Sequence, residues 1–287
     1  MRNWVCLNGT LMPAEEARIS VFDAGFMQGV GLFETMRADA GRIFRLDQHI
    51  DRLIASARTL GWTVLPQADE LTDNVQQVLS PSMDLDTRVR LTVTTGSLHA
   101  PVDDRPALTI VATATPAEKY PDEYYLKGVT ALLSDCEQNP SDPTAGHKTT
   151  SYFARLASLR AAHGRSAFEA LWFTPDGRLA EAALSSVFIV RDEQLLTPPL
   201  DTPVLPGITR GAVIELAVAL DIPVREADLQ LEDVLGAEEM FLTSSMIEVM
   251  PVVRIGRDAI GHEKVGENTR RLAVAYTELT VRESGRA

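Results

Sequence analysis

Basic residues are in short supply in this chain. Its 287 residues hold 27 Lys and Arg against 40 Asp and Glu, a formal net charge of −13. A field of that sign repels polyanions, which argues against nucleic acid as a partner. Lysine is the scarcer base, present only at positions 119, 127, 148 and 264. Cysteine is scarcer still: Cys6 and Cys136 have neither metal-ligand spacing nor the dense, even pattern of a secreted disulfide framework, so reduced thiols and a cytoplasmic location are expected. Long apolar runs are missing too. Nothing approaches the ~18–20 apolar residues of a membrane span, and the opening stretch, with its acids and Pro13, lacks the apolar core of a signal peptide. There is no Gly-x-Gly-x-x-Gly, no phosphate-loop lysine motif and no Gly-x-Ser-x-Gly elbow, and the five histidines are scattered, so usual nucleotide loops, serine hydrolysis and metal chemistry lack support.

What is present is an ordinary globular composition, 45% hydrophobic and 23% charged, long enough for one large or two smaller α/β domains. Arg18 to Val21 reads as a short strand, followed by the glycine-rich stretch from Asp23 to Arg37. Helical spacing runs from Leu46 to Leu60 and from about Ala68 to Leu79. Alternating, β-branched runs at Arg88–Thr95 and Ala107–Thr113 predict neighbouring strands. The stretch between Thr115 and Lys127, charged and with two prolines, reads as a connection, and the domain boundary is placed there. Beyond it the pattern predicts a strand at Val129–Leu133, a helix from about Thr150 to Ala162, and strands at Glu169–Phe173 and Ser186–Val190 joined as a hairpin through Pro175-Asp-Gly177. A helix from about Thr209 to Leu220 and strands at Glu239–Thr243 and Val252–Ile255 complete the reading.

Three features could carry chemistry. Pro206-Gly-Ile-Thr-Arg210 opens a helix, where unpaired backbone N–H groups and the positive end of the helix dipole can bind an anion. The same segment is also what an ordinary Thr209 cap would look like. Lys148 stands among small and hydroxyl residues where a loop enters a helix, a setting for either a solvated cation or a Schiff-base amine. Glu181 precedes an apolar strand, and if it points inward it must find a charged partner.

In order and spacing these segments resemble the class IV, fold-type IV pyridoxal-phosphate aminotransferase family, a group with branched-chain-amino-acid and D-amino-acid aminotransferases and 4-amino-4-deoxychorismate lyases. The resemblance runs from Ser20-Val-Phe-Asp-Ala-Gly-Phe26 through Gly31-Leu-Phe-Glu-Thr-Met-Arg37, His49-Ile-Asp-Arg52-Leu53, Lys148-Thr-Thr-Ser-Tyr152, Glu181, Ser185–Val190 and Leu205–Arg210 to Phe241-Leu-Thr-Ser-Ser245 and Val249-Met-Pro-Val252. It implies an α/β fold in two domains: a smaller N-terminal domain over 1–117, a connection over 118–127 and a larger cofactor-binding domain with a barrel-like core over 128–287. It implies pyridoxal 5'-phosphate as cofactor, an amino acid and a 2-oxo acid as substrates, and a homodimer. Lys148 matches the lysine that holds the cofactor as an aldimine and moves the substrate proton. Glu181 matches the acid at the pyridine nitrogen, Arg52 the phosphate-binding arginine, Ile208 and Thr209 the helix N-terminal amides, and Ser244 and Ser245 the second phosphate-side loop. Tyr152 resembles the tyrosine near the cofactor's 3-hydroxyl.

The chain also departs from the family pattern. Ser186 stands where asparagine is usual, and Gln28 where branched-chain enzymes often place an aromatic residue of the substrate pocket. The stretch Thr94–Pro101 has no arginine, unlike the carboxylate trap of D-amino-acid enzymes. Arg90 matches a residue near the substrate site and could equally form a structural ion pair; Phe33 fits a pocket wall or the core. Glu34 tips the resemblance toward transamination. The leading expectation is an aminotransferase for a small or branched-chain amino acid. Its rivals are a 4-amino-4-deoxychorismate lyase, suggested by the Phe241–Pro251 stretch, and a non-catalytic cofactor-binding protein.

Overall fold

A computed structural model describes residues 4–82, 86–99 and 108–284. By its internal contacts the chain divides into two units. The first runs to Glu118 and also takes His147–Ser151 and the residues from Val281 onward; the second comprises Lys119–Gly146 and Tyr152–Thr280.

The first unit is built on β1 (Trp4–Leu7), β2 (Thr10–Pro13), α1 (Ala24–Gln28), β3 (Gly31–Asp39), β4 (Arg42–Ile43), α2 (Leu46–Thr59), α3 (Ala68–Leu79), β5 (Thr87–Thr94) and β6 (Thr109–Pro116). Its strands form one antiparallel sheet in the order β2-β1-β6-β5-β3-β4. The two-residue period decides what faces what. Leu32, Met36, Val89, Leu91, Val93, Ile110 and Ala112 pack beneath α2 and α3, against Ile50, Leu53, Leu71, Val75 and Val78. On β3 that leaves Glu34 on the helix side and Phe33 on the other, where Phe33 pairs with Thr92 and Thr35 with Arg90.

One expectation fails here: Arg18–Val21 is not a strand. The glycine-rich stretch contains α1, capped by Asp23, and the nine-residue β3. Asp23 is buried and accepts from the Gly25 N–H and the Thr94 and Thr109 hydroxyls, so these side-chain bonds, with an isolated antiparallel bridge to Ser97, order this region. Ala100 and Pro101, which end the stretch without arginine, and Ala107, the expected first residue of a strand, lie outside the described residues.

The second unit contains α4 (Asp122–Lys127), β7 (Val129–Leu133), α5 (Phe153–His163), β8 (Glu169–Phe173), β9 (Leu179–Ala182), β10 (Ser186–Arg191), β11 (Gln194–Thr197), α6 (Ile208–Ala219), β12 (Val224–Glu226), α7 (Leu231–Leu235), β13 (Glu239–Ser244), β14 (Glu248–Ile255), β15 (Asp258–Ala259) and α8 (Glu267–Ser284). Nine strands make one mixed sheet, β12-β11-β10-β13-β14-β7-β8-β9 with β15 on β14. Phe188 and Phe241, directly opposite on β10 and β13, stack at 5.0 Å in its core. The expected connection before Val129 holds the short helix α4. The turn at Gly177, φ +85°, does close a hairpin, but β8 pairs with β9 and not with Ser186–Val190. That correction matters, because β9 carries Glu181.

Candidate active site

In the first unit Lys148 is held by backbone pairing. The Phe33 N–H donates to the Lys148 carbonyl at 2.9 Å, and the Thr150 N–H donates to the Gly31 carbonyl at 2.8 Å, so the segment lies antiparallel against the start of β3. Gly31 permits the approach: a Cβ there would sit 2.9 Å from Thr150 Oγ1 and 3.1 Å from the Val93 carbonyl. The Lys148 ammonium lies 4.7 Å from the centroid of the Phe33 ring. Arg90, diagonal to Phe33 across the β3–β5 pair, places its guanidinium carbon 3.7 Å from the same ring and donates to Thr92 Oγ1 at 3.2 Å. The structure therefore brings Phe33, Arg90 and Lys148 together. Phe33 is buried and Lys148 half-buried, whereas Gln28 is exposed at the end of α1.

Behind this cluster, on the helix side of β3, Glu34 is buried at 1% exposure among apolar neighbours. A carboxylate there needs counter-charge. It receives the Arg52 fork, Nε to Oε1 at 2.8 Å and Nη2 to Oε2 at 2.6 Å, and meets His49 Nδ1 at 2.8 Å. Arg52 and His49 occupy one face of α2, three residues apart. Burial alone would raise the Glu34 pKa, but Arg52 and His49 outweigh it and hold it at about 2. Burial likewise holds the His49 ring below its usual pKa, against the pull of Glu34. This buried triad was not legible in the sequence, where Arg52 and Glu34 entered as separate features.

In the second unit Glu181 is buried on β9. Its Oε1 accepts from Arg155 Nη2 at 2.5 Å, and its Oε2 accepts from the Leu205 N–H at 3.2 Å. Leu205 is three residues before the first residue of α6, so the carboxylate and the Pro-Gly-Ile-Thr segment are tied into one piece. Tyr152 stands beside the same guanidinium, its ring 5.9 Å from the Arg155 carbon.

The N-terminus of α6 begins after Gly207 and has no side-chain cap, which leaves the first amides, those of Ile208 and Thr209 included, facing outward from the helix end. A Cβ at Gly207 would lie 2.8 Å from Ser186 Oγ and 3.1 Å from Arg210 Cβ. Ser186 is paired in register with Thr243, whose buried hydroxyl has no hydrogen-bond partner among the described residues. Ser244 and Ser245, half-buried, follow at the β13–β14 turn. An uncapped helix end, a side-chain-free cradle and hydroxyls form a donor set that suits a phosphate. Among the described residues no group of three or more His, Cys, Asp or Glu side chains could hold a metal ion, and no helix is long and apolar enough to cross a membrane.

Comparison with known proteins gives the chain its class. Residues 31–255 match the class IV amino-transferase family. A putative branched-chain-amino-acid aminotransferase of Methanocaldococcus jannaschii is 32% identical over 277 residues, 96% of either chain. An aminodeoxychorismate lyase of Bacillus subtilis is 29% identical over 278 residues, 95% of this chain and 93% of that one. Among solved structures, the branched-chain amino acid aminotransferase from Thermobaculum terrenum in its PLP form superposes with a TM-score of 0.85 at 25% identity, covering 100% of this chain and 95% of that one. The chain belongs to the class IV aminotransferases. It has their fold-type IV architecture, and its cofactor is pyridoxal 5'-phosphate.

Proposed function

We propose that the protein transfers the amino group of a small or branched-chain amino acid to a 2-oxo acid, with Lys148 as its catalytic residue. The observation that carries this reading is the pinning of Lys148 to β3 beside the buried Phe33 ring and Arg90. Pyridoxal phosphate supplies an electron sink for the substrate Cα. In our reading Lys148 would hold the cofactor at its aldehyde carbon, and its Nζ would be the base that moves the substrate Cα proton. The Ile208 and Thr209 amides bind the phosphate with Ser244, Ser245 and Arg52; the Glu34 carboxylate keeps the Arg52 fork in one orientation. Glu181 keeps the pyridine nitrogen protonated, and Tyr152 orients the 3-hydroxyl. Phe33 forms an apolar wall for the substrate side chain, Gln28 sits at its edge, and Arg90 attracts a carboxylate.

The branched-chain assignment draws on the relatives' names and on the Phe33 wall. A panel of L- and D-amino acids, followed by the cofactor absorbance without acceptor, tests it: L-leucine, L-isoleucine and L-valine should convert the cofactor to its amino form fastest. A second reading, aminodeoxychorismate lyase, is favoured by the Bacillus relative. Release of 4-aminobenzoate and pyruvate from aminodeoxychorismate, with no 2-oxo acid present, would establish it instead.

We further propose a homodimer working in the cytoplasm. Ile19, Val21, Phe22, Phe26, Met27 and Val30 are all exposed within twelve residues, more apolar surface than scattered single side chains account for. A second copy would cover it. The free thiols of Cys6 and Cys136 suit a reducing compartment.

A further inference from the structure

Arg155 lies seven residues after Lys148, on the first turn of α5, and no pattern in the sequence marks it. In the fold it is mostly buried, and its donors are divided among fixed partners. Nη1 donates to the Ala182 and Ala183 carbonyls at 3.3 and 3.1 Å, while Nη2 donates to Gln138 Oε1 at 3.2 Å and to Glu181. Gln138 is itself anchored, its Nε2 donating to the Pro203 carbonyl at 2.9 Å. The Trp172 ring lies 5.2 Å from the guanidinium carbon. A planar fork held by three backbone and amide oxygens cannot follow a moving carboxylate; the carboxylate must come to it.

We propose that Arg155 is a positioning residue for Glu181, fixing where the carboxylate points and supplying its counter-charge for the contact with the cofactor's ring nitrogen. The proposal rests on the reading of Glu181 given above. Two independent anchors, Arg155 on Oε1 and the Leu205 N–H on Oε2, hold the group while each oxygen keeps a lone pair for a further donor. The other titratable groups in the field of Arg155 are Tyr152, beside its guanidinium, and Glu169 on β8. Burial works against the charge of Arg155, and Glu181 outweighs it and raises the arginine's pKa. Without the arginine this buried carboxylate loses its counter-charge, and burial works against a charge left without one.

The test is the dissociation constant of pyridoxal phosphate from the apoprotein at pH 6 and pH 8.5, by equilibrium dialysis, for the wild type, Arg155→Met, Arg155→Lys, Glu181→Gln and the double variant Arg155→Met/Glu181→Gln. The expected result is a loss of at least tenfold at pH 6 in Arg155→Met, each variant being compared with wild type at the same pH, and of less than threefold at pH 8.5. Arg155→Lys should recover to within threefold of wild type at both. In the Glu181→Gln background the further loss of Arg155 should change affinity by less than threefold. Equal weakening at both pH values, or weakening in the Glu181→Gln background as large as in the wild type, overturns the positioning role and leaves Arg155 as packing. An unchanged affinity in Glu181→Gln would overturn instead the reading of Glu181 on which the proposal stands. Should Arg155→Met fail to fold, Arg155→Gln, uncharged but still a hydrogen-bond donor, replaces it in every comparison.

Discussion

The Glu34 carboxylate takes the Arg52 guanidinium in two parallel bonds, at 2.8 and 2.6 Å, in the buried layer between β3 and α2. Removing the charge strands a buried guanidinium, and losses of about 3 kcal/mol are typical of that. Glu34→Gln should therefore lower the stability of the apoprotein by about that much at pH 7, read from the urea midpoint. Its folded pKa is about 2 against an ordinary 4.5, so the wild type's extra stability is present above pH 4.5 and is lost as the pH falls toward 2. Glu34→Gln should lack that part of the acid transition.

Glu169 shows the opposite sign. It is buried on β8 and accepts from the Ala170 and Leu184 N–H groups and the Ser185 hydroxyl, yet burial outweighs these bonds and pushes its pKa up to about 7. A raised carboxyl pKa means the folded state binds the proton more tightly. Its stabilising effect is full below pH 4.5 and is lost as the pH rises through 7. Glu169→Gln should flatten the dependence of Tm on pH between 5 and 8. An unchanged slope in that variant would show that another group sets it.

Gly207 is the point where a side chain would fill the cradle proposed above for the phosphate. Gly207→Ala should weaken pyridoxal phosphate binding at least tenfold while changing the affinity for pyridoxal, which has no phosphate, less than threefold. The distinction separates a blocked phosphate from a general distortion, since the Cβ would press on Ser186 Oγ at 2.8 Å in either case. The two dissociation constants are measured by cofactor absorbance on the apoprotein.

Phe26 is 68% exposed on α1, the most exposed of the apolar side chains around it. Phe26→Glu would put a charge into the surface that a second copy is proposed to cover. Light scattering should show a dimer for the wild type and a shift of the variant toward monomer by at least tenfold in the dissociation constant. A wild-type monomer at micromolar concentration would exclude the dimer.

Residues on amphipathic helices were the easiest to place from sequence. The spacing of Leu46, Ile50, Leu53 and Ala57, and the Ala68–Leu79 run, are local signals of one helical face, and α2 and α3 follow them closely. β3 was hidden because Gly29 and Gly31 look like loop residues; Gly31 is there for the close approach of Thr150, a contact 119 residues away along the chain. The hairpin partner of β8 was misplaced because Leu179–Ala182, only four residues long and buried throughout, has no alternation to read. At the site, Lys148, Glu181 and the Pro206–Arg210 segment stood out by residue type and context. Arg155 and the pairing of Glu34 with Arg52 did not, since both depend on which strand a helix packs against. Such partners are set by tertiary contact and leave no periodic trace.

In the function proposed above, Lys148 alone among the four lysines holds the cofactor. Borohydride reduction of the protein with pyridoxal phosphate bound, followed by peptide mass mapping, tests this most directly. The expected product carries one phosphopyridoxyl group per chain, on the peptide that contains Lys148, and none in Lys148→Ala. A label on Lys119, Lys127 or Lys264, or undiminished labelling in Lys148→Ala, would contradict it.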